Sequence, residues 1–306
     1  VYGKVFISVK PRSGSVISAT RKSTLQTTLD DRSIVSVETE FVDATYLYIN
    51  PAITVRYDPK TTSLSASELN TKVQNSLISY EGNNLGTFDN KFYVSNLTET
   101  LKAADNSLVS ADVDFTIEKR FVPTTNAINT YQLQFNNAIH HPHDGHLGAV
   151  SSTGFTIGGE TVYLEDDGVG NLRTFILVTG NKIARNNSFG TVDYESGLVT
   201  IFNTSITAYE GSAISVKVKP KESNIFGVRN EILLISSASV TTVDNDTNNT
   251  TSTVGSIGTD GTTTTVLTDN AIANFGVSSV ATLSKSSSGS TTVGTTTSSS
   301  ISGSSY

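Results

Sequence analysis

All four histidines of the chain, His140, His141, His143 and His146, fall in one stretch, IHHPHDGHLG at 139–148. Imidazole nitrogen binds zinc, iron or nickel, and closely spaced loop histidines supply two or three ligands without any cysteine. On that reading His141 and His143 ligate together, and His140, His146 or Asp144 completes the shell. Successive side chains point apart, however, so four near neighbours rarely reach a single ion. The plainer reading is a surface loop stiffened by Pro142 and turned at Asp144-Gly145, its imidazoles bonded to backbone or to a neighbouring subunit. That reading is preferred, and no metal and no cofactor are assigned.

Other chemistry is weaker still. The run EDDGVGN at 165–171 has carboxylates for calcium but lacks the EF-hand spacing, and a hairpin turn explains the same residues. Glu38, Glu40 and Asp43 alternate as on the wet face of a strand. No strained turn presents a serine, and neither a P-loop nor a GxGxxG motif occurs. With no cysteine, thiolate catalysis and sulfur-ligated metals are excluded. An enzyme is therefore not expected.

The elements that would position such residues fall into three regions. In residues 1–123, Val5, Ile7 and Val9 alternate as a strand, and Leu25 and Leu29 mark a helix over about 20–32. Residues 41–50 and 52–58 read as strand, with Pro51 placing a break or an edge between them. Ser65 and Glu68 form a capping box ahead of Leu69, Val73, Leu77 and Tyr80, with Gly82 as the stop. A short helix carries Leu97, Leu101 and Ala104, and Val113, Phe115 and Ile117 alternate with polar residues in a last strand. The order predicts an α+β domain of the ferredoxin-like, split β-α-β kind.

Residues 124–239 lose helical periodicity. Short alternating runs around Tyr131–Phe135, Phe155–Leu164, Leu172–Val178 and Ile214–Val218 are separated by Gly and Asn turns, which predicts an all-β, sandwich-like domain. Residues 240–306 are low in complexity, and 15 of the last 21 are Ser or Thr. Alone, such an arm buries too little apolar surface to offset its ordering entropy, so a partner is expected to order it.

The residues GKVFISVKPRSG, VDATYLYINPAITVRYDP, LSASELNTKVQNSL and ADVDFTIEKRFVP, in that order, resemble the baseplate wedge proteins of contractile-tailed bacteriophages. The resemblance is to the baseplate J-like family and, within it, to the gene product six proteins of T-even-type phages. KPKESN and RNEILLI, at 219–224 and 229–235, extend it to about residue 239. It implies a non-enzymatic structural subunit that joins neighbouring wedges into a ring and rearranges when the sheath contracts. Its partners would be a second copy of itself or a higher ring, together with other wedge subunits. It would reside in the virion after assembly in the host cytoplasm, with hinges near Pro123 and Pro220.

Composition agrees with that class. A net charge of −7 with no basic patch disfavours nucleic acid and anionic membranes, and no apolar run is long enough to span a bilayer. The chain starts at Val1 and contains no methionine, so a missing upstream region is expected. The rival reading is an extracellular adhesin or carbohydrate-binding β module, which would need an aromatic-lined groove.

Overall fold

A computed structural model describes residues 3–11, 16–32, 38–142 and 148–245, and the backbone alone of 250–257, 263–269, 279–285 and 291–296. The chain opens with β1 (Lys4–Ser8), α1 (Ala19–Asp30) and β2 (Glu38–Val42), in which β1 and β2 pair in parallel from Lys4↔Glu38 to Ser8↔Val42. Ser18 caps α1 by accepting a hydrogen bond from the Arg21 N–H. No side chain of α1 is fully buried.

The main core begins with β3 (Thr45–Tyr57), whose Leu47, Ile49, Ile53 and Val55 point inward at period two. Full burial of each such side chain contributes about 1.5–3 kcal/mol. The expected interruption at Pro51 does not occur, and β3 runs through it. On one side Pro51 opposes Phe115; on the other it falls between the end of one parallel partner at Ile49↔Ile235 and the start of the next at Ala52↔Ser239. The missing N–H thus sits at a gap between those partners.

Next comes α2 (Ala66–Asn84), held at its start by the expected reciprocal box between Ser65 and Glu68. The helix passes Gly82, where stopping was expected, and ends when the Leu85 N–H reaches the Glu81 carbonyl. Leu69, Val73, Leu77 and Tyr80 face the core, which also takes Phe92 from β4 (Lys91–Tyr93) and Leu97 and Leu101 from α3 (Val94–Lys102). Phe92 meets Tyr80 and Phe115 edge-on, at centroid distances of 6.3 and 5.1 Å. The long strand β5 (Leu108–Phe121) then returns antiparallel to β3, from Tyr57↔Leu108 to Tyr48↔Glu118.

The β region follows as β6 (Ile128–Gln134), β7 (Val150–Ser152), β8 (Phe155–Ile157), β9 (Glu160–Asp166), β10 (Asn171–Val178), β11 (Asn181–Asp193), β12 (Leu198–Ser205), β13 (Ala208–Tyr209) and β14 (Ile214–Val218). Pairing runs β6–β12–β11–β10–β9–β7–β14, with β8 beside β9 and β13 beside β8. The β8–β9 turn is Gly158-Gly159, both at positive φ, as the Gly-Gly pair predicted. At Gly197, φ is +69° and an added Cβ would lie 2.2 Å from the Asn137 carbonyl oxygen, so only glycine fits that turn.

Two features tie the regions together. β14 pairs with Ile117–Phe121 of β5, so one sheet continues from the α+β region into the β region. Beyond β15 (Asn224–Phe226), which pairs with β4, both β16 (Glu231–Ile235) and β17 (Ala238–Asp244) return to β3 in parallel. Residues 231–244 therefore join the first sheet, across the expected divisions at 123 and 239. The protein is α+β, with three helices among the described residues, α1 on the β1–β2 pair and α2 and α3 against a large mixed sheet. The backbone of β18 (Thr250–Ile257), β19 (Thr263–Asp269), β20 (Ser279–Lys285) and β21 (Thr291–Thr296) extends the sheet from β17 as an antiparallel meander.

Candidate functional site

Where β5 leaves β3 for β14, the sheet divides. The β3–β5 ladder ends at Tyr48↔Glu118, and the gap beyond it holds a cavity of about 510 Å³. Tyr46, Tyr48, Arg120, Gln132, Gln134 and Asn230 are among its walls. Tyr46 and Tyr48 share a face of β3 because they are two residues apart, and their rings stack at 6.3 Å. The Arg120 guanidinium lies 3.9 Å from the Tyr48 ring centroid and pairs with Glu118 at 2.5 Å, while also bonding Ser236. Lys119 pairs with the buried Glu231 at 2.6 Å. Both cations are thus neutralised by buried carboxylates. Among the described residues the lining carries no imidazole, carboxylate or thiol. A sugar-binding groove needs open ring faces, and here Arg120 covers one face of Tyr48.

Nearby, Asn50 of β3 ties β5 to the link between β16 and β17. It donates to Glu118, and its carbonyl accepts from the Ser237 N–H and hydroxyl. This bonding secures the crossover between β16 and β17 where Pro51 leaves the ladder open.

The histidine stretch lies elsewhere. Ile139 bridges Pro220, and the His140 N–H donates to the Lys219 carbonyl, fastening the loop to the end of β14. His141 stacks on Tyr194 at 4.4 Å, and its Nε2 is 3.0 Å from the Gly168 carbonyl oxygen, so Nε2 carries the proton in that bond. His143, His146 and Asp144 lie outside the described residues. Among the described residues no three His, Asp or Glu side chains are grouped to hold a metal ion.

Beneath that loop is a pair not singled out from sequence. Asp166 is fully buried and accepts the Tyr194 hydroxyl at 2.7 Å and the Val150 N–H at 2.9 Å. Burial, followed by the bond to Asp166, pushes the Tyr194 phenol well above its ordinary pKa. Both residues sit at hairpin turns that read only as polar punctuation, and pairing them required the strand register. Asp167, next in the chain, closes its own turn by accepting from the Val169 and Asn171 N–H groups, which spends the EDDGVGN run on a hairpin.

The comparisons give the class first: both family models that match describe baseplate structural proteins. In particular, residues 1–42 match baseplate structural protein gp6, C-terminal domain I, and residues 45–120 match baseplate structural protein gp6, C-terminal domain III. No curated protein matches the chain. Residues 1–42 and 45–120 are thus similar to C-terminal domains of gp6, which supports a structural role in the tail baseplate of a bacteriophage virion. The first match covers β1, α1 and β2, and the second runs from the start of β3 to Arg120. Among the described residues no helix is long and apolar enough to cross a membrane.

Proposed function

We propose that the protein is a baseplate wedge subunit that links neighbouring wedges into a ring around the hub through self-contacts and contacts to other wedge subunits. Its role is non-catalytic, needs no metal or cofactor, and is exercised after assembly in the host cytoplasm. The observation that carries this reading is the pair of gp6 matches over residues 1–42 and 45–120. The same reading treats the first unit as a ferredoxin-like variant, with α2 on β17 and α3 on β5, and the second as sandwich-like.

Contraction requires rigid bodies whose orientation changes without unfolding. The joint is the β5–β14 ladder, with Pro123 two residues beyond Phe121 and Pro220 two residues beyond Val218. Because the strands are antiparallel, these prolines sit at opposite ends of the ladder and define an axis along it. Cryo-electron microscopy of extended and contracted tails tests the proposal. The expected result is density for this chain between adjacent wedges, with the β region turned about that axis in the contracted state. Density absent from the baseplate, or an identical arrangement in both states, would overturn it.

A further inference from the structure

The segment β1–α1–β2 lacks a core of its own. Phe6 is 63% exposed and Val5 47%, and α1 buries no side chain fully. A two-stranded parallel sheet with one loosely packed helix is not stable in isolation, since parallel strands normally have both faces covered. The charges on α1 also run against its dipole. Arg21 lies in the first turn and Asp31 is the C-cap residue, with no acidic residue in the first turn and no basic one in the last. Neither Arg21 nor Asp31 forms an ion pair among the described residues, whereas Lys22 is held by Asp43 and Gln26 by Asp30 and Thr39.

Position explains the pattern. Lys22, Leu25, Gln26 and Leu29 are the partly buried residues of α1, and they form its inner face. The outer face carries Arg21, Thr24, Thr28 and Asp31, all exposed, at spacings of three, four and three residues. That is the repeat that lines the seam of two packed helices. Thr24 and Thr28 donate their hydroxyls to the carbonyls of Thr20 and Thr24, which satisfies those groups within the helix.

The stripe is self-complementary. In an antiparallel pair of identical helices centred on residue 26, Arg21 meets Asp31 of the other copy and Thr24 meets Thr28. Each contact then occurs twice about the two-fold axis, as an isologous interface requires. Arg21 and Asp31 are ten residues apart, or about 15 Å along the helix, so the two ion pairs bracket the threonine contacts.

We propose that the outer face of α1 is a two-fold contact between copies of this protein, formed by antiparallel α1 helices with reciprocal Arg21–Asp31 pairs. This rests on the wedge reading and locates one of its self-contacts. It assigns the occupant as a second copy because charge and spacing match when the helix is set against itself.

Charge reversal tests the contact on the whole chain. By light scattering over a dilution series, Arg21→Glu and Asp31→Arg should each weaken self-association about tenfold or more, since like charges then face each other at both ends. The double variant Arg21→Glu/Asp31→Arg should restore wild-type association, with circular dichroism unchanged throughout. The chain has no cysteine, which provides a second readout. An equal mixture of Thr24→Cys and Thr28→Cys chains should form a disulfide-linked heterodimer faster than either chain alone forms a homodimer. A chain that stays monomeric, association indifferent to single reversals, failure of the double variant to restore it, or no preference for the mixed disulfide would each overturn the inference. Those outcomes leave the wedge reading to be judged by the tail density.

Discussion

The Lys119–Glu231 pair stands where β5 departs from β3, and its removal tests whether it holds the sheet together there. Glu231 is 1% exposed, its Oε1 is 2.6 Å from Lys119 Nζ, and its Oε2 lies 3.4 Å from the Val228 N–H. The Lys119 side chain retains 15% exposure at the cavity. Breaking one side of a buried pair costs about 3–5 kcal/mol, because the remaining charge is stranded. In Glu231→Ala the stranded group is an ammonium that can lean into the cavity and reach water, so the lower figure, about 3 kcal/mol, is expected. With a urea slope near 3 kcal/mol/M, the unfolding midpoint falls by about 1 M. Lys119→Met should cost more, since the stranded carboxylate is deeper and has no path outward. The double change Lys119→Met/Glu231→Leu removes both charges and should lie within about 1 kcal/mol of the parent. Urea unfolding followed by far-ultraviolet dichroism reads all three. A Glu231→Ala chain no less stable than the double variant would refute the reasoning, because it would show that the pair is effectively solvated.

Three further outcomes are expected. Gly197→Ala should lower stability by more than about 1 kcal/mol, from its positive φ and the close Asn137 carbonyl, and a neutral result in urea unfolding would refute the turn geometry. Tyr194→Phe should cost about 1–3 kcal/mol by taking one of two donors from the buried Asp166, with a cost under about 0.5 kcal/mol counting against it. Asp105 is held down to about 2, first by the Lys72 hydrogen bond and then by the Ser107 N–H and hydroxyl. A depressed carboxylate contributes stability that is full above its unfolded value of 3.8 and is lost as pH falls toward 2. Lys72 is 47% exposed, so added salt should weaken the effect, and Lys72→Met should raise the Asp105 midpoint in a carboxyl NMR titration.

Legibility in the sequence followed locality. The α2 capping box was readable because Ser65 and Glu68 are three residues apart, and the β8–β9 turn because two adjacent glycines can both adopt positive φ. Gly82 misled because a glycine weakens a helix without ending it, and the packing of Leu77 and Tyr80 carried α2 past it. The histidine stretch drew attention through residue type, yet both described histidines are engaged with protein: His140 through its backbone at Lys219, and His141 at Tyr194 and Gly168.

By itself the sequence determined the local elements and the resemblance to wedge proteins, because caps, periodicity and turns act over a few residues. Only the tertiary structure decided that residues 231–244 return to β3, that Pro51 can sit inside an unbroken strand, and that Asp166 and Tyr194 meet. Those pairings join residues from 28 to about 190 positions apart in the chain, and they are set by which strand edges and apolar faces remain to be covered once the local elements have formed.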